Sequence, residues 1–204
     1  MAVAATLAES ADGAKREGAA ERIQTEIRRM DALIDDLLTL SRVESGVEAF
    51  EFEDCNLRTL VDDIAADAAF EFDTRNIRIS ATGDTTVRAD CRRLRHALEN
   101  ILRNALRHSP EPSVVCITLD ADDLRVGIEV ADEGPGVEPD QLGRIFEPFF
   151  RGDGARAPDD GHGVGLAIAR AMVAGHHGNI HAVNRSNGGL AIRVELPRDP
   201  HGQD

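Results

Sequence analysis

From residue 133 to residue 160 the chain is rich in Gly, Pro and Asp, with only a brief helix expected near Pro139–Leu142. A compact domain keeps so long a loop mainly where the loop serves a site. Regular elements flank it on both sides. Val114–Leu119 and Leu124–Val130 read as a hairpin around Asp120–Asp123, and the stretch from Gly163 to His177 reads as a helix. Strands are expected at Phe50–Cys55, Ile77–Ala81, Thr86–Ala89, Gly178–Asn184 and Leu190–Leu196. Leu57 to Phe70 has helical periodicity, and Asp90 is placed to cap a helix that Ser109-Pro110 stops after His108. The expected fold is α+β: a two-layer α/β sandwich, with a mostly antiparallel sheet and helices on one face.

A different pattern precedes it. Ile23, Ile27, Met30, Ile34 and Leu37 repeat at helical spacing, broadened by Leu33 and Leu40, with Glu26, Arg28, Arg29 and Asp35 opposite. Such a stripe suits a partner helix or packing on the following domain. Residues 2–9 read as the end of another helix, residues 12–18 as a turn, and Gly46 as the helix stop. The expected division is therefore 1–46 as a helical hairpin remnant, 47–198 as the main domain and 199–204 as a frayed tail.

Composition narrows the function. The 204 residues carry a net charge of −14 and no Trp or Tyr, which disfavours a nucleic-acid partner. The one lysine, Lys15, precedes Arg16 in a polar stretch, so neither a Walker P-loop nor the strand lysine of Ser/Thr/Tyr kinases is present. No apolar run reaches membrane-spanning length. The three cysteines lack metal or redox spacing and are expected as small buried thiols in a reducing compartment.

Three stretches carry chemistry. In the helix capped by Asp90, Leu94, Leu98, Ile101 and Ala105 form the apolar stripe, and Asn100 and Asn104 share another face. Asn is a poor mid-helix residue, so two on one face suggest that the amides are used. A carboxamide oxygen is a hard ligand of the kind Mg²⁺ accepts. Arg103 and Arg107 flank the pair and suit phosphate oxygens. Next, a strand ends in Asp132, followed by Gly134 and Gly136: an acceptor for an exocyclic amine beside room for a flat ring. Third, Gly161-His162-Gly163-Val164-Gly165-Leu166 precedes a helix, whose N-terminus favours anions.

In this order, with Phe146-Glu147-Pro148-Phe149-Phe150-Arg151 between the second and third, the stretches resemble the ATP-binding domain of sensor histidine kinases, in the superfamily that also holds gyrase, Hsp90 and MutL-type ATPases. LENILRNALRHSP (98–110) looks like the N box, VADEGPGV (130–137) and GHGVGLAIA (161–169) like two glycine boxes, and FEPFFRGD (146–153) like the F box. NGGLAIRVELP (187–197) resembles the closing strand element, and residues 22–46 resemble the second helix of the dimerisation and phosphotransfer hairpin.

The resemblance implies a Bergerat-type ATP-binding fold with ATP and Mg²⁺ as cofactors. Asn104 would be the Mg²⁺ ligand and Asp132 the adenine acceptor. Asn100 stands where the ATPase relatives carry a catalytic glutamate, so hydrolysis should be slow and the γ-phosphoryl group kept for a protein acceptor. Arg107 would meet phosphate and His108 would lie against adenine. Gly134 and Gly136 would leave room for the base; Gly161, Gly163 and Gly165 with Leu166 would line the phosphates, with Arg151 reaching the γ-phosphate from the lid, and Val137, Ile145, His162 and Val164 would also belong to the ATP-binding set. The implied partners are an acceptor hairpin and a response regulator, in a homodimer weakened in this chain, and the implied setting is cytoplasmic with an inner-membrane anchor upstream.

One element departs from the pattern. None of the seven histidines, His96, His108, His162, His176, His177, His181 and His201, sits in a phosphoacceptor box. The chain is therefore expected to begin after the acceptor and to be unable to phosphorylate itself. Two alternatives on the same fold are an anti-sigma-type serine kinase or nucleotide-gated binding module, against which the 22–45 helix argues, and a hydrolytic ATPase, against which Asn100 argues.

Overall fold

The computed structural model describes residues 23–24, 26–28, 30–43, 45–46, 49–72, 76–151 and 162–199. The chain divides into two compact units between Leu38 and Thr39. The described residues from 23 to 43 are helical (α1) on both sides of that division, and Ile23, Ile27, Met30 and Ile34 are exposed along one stripe. The first hairpin arm and its turn, expected before residue 19, lie outside the described residues.

The second unit runs β1 (Glu53–Asn56), α2 (Leu57–Glu71), β2 (Asn76–Ala81), β3 (Thr86–Ala89), α3 (Cys91–His108), β4 (Val114–Ala121), β5 (Arg125–Ala131), a 3₁₀ turn (Arg144–Phe146), α4 (Gly165–Gly175), β6 (Asn179–Asn184) and β7 (Leu190–Pro197). Five strands form one sheet in the order β2-β4-β5-β7-β6, antiparallel except for β2 beside β4. Alternation gives this sheet two faces. Val115, Ile117, Leu119, Val126, Ile128, Val130, Ile192 and Val194 are buried. The helices supply the other half of the core, with Leu94, Leu98, Ile101 and Ala105 of α3 all buried, as their spacing predicts. Register sets Ser80, Thr118, Glu129, Arg193 and His181 in one row across the opposite, polar face. There the Arg193 guanidinium meets the Asp120 carboxylate through two bonds of 2.9 and 2.8 Å. It lies over Gly127, where a Cβ would collide with it.

The sequence does not foreshadow a second sheet. β1 and β3 form a separate antiparallel ribbon, Glu53 opposite Ala89 and Asn56 opposite Thr86. Arg198, just past β7, ties the ribbon to the main sheet: its guanidinium donates to the carbonyls of Asp122 (2.6 Å), Asp84 (2.6 Å) and Thr86 (3.1 Å). The ribbon also brings Cys55 to Cys91, and the two form a disulfide with Cα atoms 5.7 Å apart. This corrects the expectation of three reduced cysteines; Cys116 alone is free. Two element boundaries also shift. Residues 49–52 are not strand, because Phe50 and Phe52 turn onto the buried His176 ring, with centroids 5.0 and 5.6 Å away. The helix expected near Pro139–Leu142 is a run of turns, and only Arg144–Phe146 winds into 3₁₀ form.

Candidate nucleotide site

α3 carries the amides because its two ends are fixed. Asp90 caps it, Oδ1 accepting from the Arg93 N–H at 3.0 Å, and the Ser109 N–H closes the last turn on the Ala105 carbonyl. Asn100 and Asn104 then fall one turn apart, both half-buried. The start of α4 packs against this face so closely that a Cβ on Gly165 would lie 2.9 Å from Asn100 Oδ1. Asn100 Nδ2 is buried and has no hydrogen-bond partner. A buried amide left in that state costs about 1–3 kcal/mol unless a ligand or water meets it. No side chain caps α4, so its N-terminal N–H groups are open to an anion. Neighbouring Glu99 faces Arg95 at 3.8 Å, off this face.

Asp132 follows β5 directly and is 3% exposed. Oδ1 accepts from the N–H of Gly134 (2.8 Å) and of Leu190 (3.0 Å). Among the described residues both hydrogen bonds fall on that one oxygen, which leaves Oδ2 for an outside donor. Burial pushes this carboxyl above its ordinary value, while the two N–H bonds and the charges of His108 and Arg185 pull it back. His108 is also near in space: a Cβ on Gly134 would lie 2.7 Å from the His108 carbonyl.

The phenylalanine-rich segment closes on the glycine-rich one. The Phe149 N–H donates to the Gly163 carbonyl at 2.9 Å, with Gly163 at φ +71° and Phe149 itself at +63°. A Cβ on Gly163 would lie 2.7 Å from the Phe150 carbonyl, so glycine is required there on two counts. Phe146 is buried and Phe150 lies under the Arg144 guanidinium at 4.6 Å.

Most of the residues singled out from sequence thus gather around the end of β5, the face of α3 and the start of α4. Val164 is 1% exposed, so its side chain belongs to the core and only its backbone can face a ligand. Ile145, His162 and Leu166 are half-buried, while Arg107 and Arg151 are exposed. Gly161, with the lid residues 156–160, lies outside the described residues. Two contributors went unnoticed in the sequence. Asn184 and Arg185 at the end of β6 reach back to the 132–137 loop, and no local pattern marks them.

The donor set suits a magnesium-bound nucleotide. The described residues contain no cluster of three His, Cys, Asp or Glu side chains able to cage a metal alone. A single amide oxygen and phosphate oxygens, completed by water, are how Mg²⁺ is commonly held.

The family profile described as "Histidine kinase-, DNA gyrase B-, and HSP90-like ATPase" matches residues 89–200. Sensor histidine kinase CpxA of Escherichia coli (strain K12) is 35% identical over 181 residues, 87% of this chain and 39% of CpxA. Sensor histidine kinase TrcS of Mycobacterium tuberculosis is 36% identical over 189 residues, 89% of this chain and 36% of TrcS. The crystal structure of full-length ShkA in complex with AMPPNP superposes with a TM-score of 0.71 at 29% identity, covering 81% of this chain and 35% of that one. The chain belongs to the histidine kinase-, DNA gyrase B- and HSP90-like ATPase family and carries the ATP-binding domain of a sensor histidine kinase. It spans less than two fifths of the length of the curated relatives named here.

Proposed function

We propose that this chain binds Mg-ATP between α3, the end of β5 and the start of α4, and delivers the γ-phosphoryl group to a histidine on an acceptor hairpin. The observation that carries the reading is Asp132, a buried carboxylate with one oxygen held by backbone N–H groups and the other open. That oxygen accepts from the adenine amine; His108 and the small residues Gly134 and Gly136 border the base, with Val137 and Ile145 beyond it. Asn104 holds Mg²⁺, which when bound offsets the phosphate charge. Asn100 orients the phosphates and, being an amide, takes no proton from water. The N–H groups from His162 to Leu166 bind the phosphate tail, joined by Arg107 and Arg151. The site contributes positioning and charge rather than a covalent intermediate.

In this reading residues 1–46 belong to the dimerisation hairpin and a response regulator aspartate takes the phosphoryl group from histidine. Among the described residues no helix is long and apolar enough to cross a membrane. In this reading the chain takes a cytoplasmic position below an upstream inner-membrane anchor, as its likeness to sensor histidine kinases suggests. The test supplies γ-labelled Mg-ATP and a separate protein bearing an acceptor hairpin. Acid-labile label on the acceptor histidine is the expected result; ATP binding without transfer would reduce the chain to a nucleotide-binding module.

A further inference from the structure

Asp132 is gripped from its backbone side as well. Beyond β6 the chain makes a tight turn: the Arg185 N–H donates to the Gly189 carbonyl at 3.0 Å and the Gly188 N–H to the Arg185 carbonyl at 3.2 Å. Gly189, at φ +92°, lets the turn press against the loop after β5, since a Cβ there would collide with the Asp132 carbonyl. Across this contact the Arg185 guanidinium donates through Nη1 to that same carbonyl. Arg185 is half-buried, which strengthens a charged donor. One residue earlier, Asn184 pairs with both backbone groups of Val137: its Oδ1 accepts from the Val137 N–H at 2.9 Å and its Nδ2 donates to the Val137 carbonyl at 2.6 Å. Two consecutive side chains thus pin the 132–137 loop at its beginning and its end.

We propose that Asn184 and Arg185 are positioning residues for base recognition: they fix the loop so that Asp132 presents its open oxygen to a purine amine, and so set the preference for adenine over a purine without that amine. The proposal rests on the assignment of Asp132 as the base acceptor. In this role each side chain acts through the backbone groups it holds rather than by contact with the nucleotide. The positive charge of Arg185 beside the buried carboxylate also favours its ionised, accepting form.

The test measures calorimetric Kd values of the full chain for Mg-ATP and for Mg-ITP, whose base carries an oxygen where adenine carries the amine. Wild type is expected to bind ATP more tightly. Arg185→Gln is expected to weaken ATP binding about tenfold while leaving ITP unchanged, collapsing the ratio. Arg185→Lys, which keeps the charge and one donor, is expected to restore part of it, and Asn184→Ala is expected to lower the ratio as well. A general structural defect would weaken both nucleotides together. If wild type discriminates and the Arg185→Gln ratio stays at the wild-type value, the positioning role is wrong. If wild type binds both nucleotides equally, the assignment of Asp132 fails and takes this inference with it. Should Arg185→Gln not fold, Arg185→Lys and Asn184→Ala decide: unchanged ratios in both overturn the proposal.

Discussion

Asp132 holds a charge where burial opposes one, and that opposition separates stability from binding. Its carboxyl titrates above the usual value, so the folded protein holds the proton more tightly than the unfolded chain does. The ionised form therefore costs stability at neutral pH, a cost relieved as pH falls through the raised value. Asp132→Asn removes that cost. Its thermal midpoint at neutral pH should match or exceed wild type, while calorimetry shows Mg-ATP affinity at least about tenfold lower. A large loss of stability with binding intact would contradict the assignment. His176 has the opposite sense. It is 2% exposed, its Nε2 accepts from the Asp90 N–H at 3.0 Å, and its Nδ1 donates to the Met172 carbonyl at 2.7 Å. Burial chiefly holds its pKa below 6.5, with Arg93 lowering it further and the Met172 carbonyl and the Asp90 charge opposing. Above pH 6.5 neither state takes up the proton. As pH falls from there through the depressed folded value, the unfolded chain gains protons first and stability drops. Denaturant midpoints at about pH 7.5 and about pH 5.5 should show this slope in wild type and a flatter one in His176→Gln; equal slopes would contradict it.

The helices and strands were largely legible in the sequence because each carries its own period and its own stop. Asp90, the Leu94–Ala105 stripe and Ser109-Pro110 define α3 without reference to anything distant. The Asn100–Asn104 face was legible because helix geometry alone brings the two together. What escaped depends on contacts far apart in the chain. Phe50 and Phe52 alternate like a strand, yet His176 and the Arg93 guanidinium over the Phe50 ring draw them into a loop. Pro139–Leu142 has a helix-start composition but too few residues before Gly143 to complete a stable turn. Asn184 and Arg185 gain their meaning only when β6 pairs with β7 beside the loop after β5. The disulfide is of the same kind: pairing of β1 with β3 carries Cys55 to the start of α3, across a separation of 36 residues. Closing such a loop restricts the unfolded chain by roughly 3–4 kcal/mol in the chain-entropy account. Reduction, or Cys55→Ala with Cys91→Ala, should lower the thermal midpoint by several degrees. An unchanged midpoint would mean that the link contributes nothing in solution.

In the molecule taken whole, the core and the site divide the labour between the layers. The apolar sheet face and the helices hold the domain together, while their polar edges (the amide face of α3, the end of β5 and the start of α4) converge on one place. The exposed apolar residues Ile23, Ile27, Met30 and Ile34 lie in the other unit. In the proposed complex ATP sits with its base on Asp132 and its metal on Asn104. A crystal structure of the chain with Mg²⁺ and a non-hydrolysable ATP analogue tests it most directly. The expected result is the exocyclic amine within hydrogen-bond distance of Asp132 Oδ2, and the ion bound by Asn104 and phosphate oxygens. A nucleotide bound elsewhere, or one whose base turns away from Asp132, would contradict it.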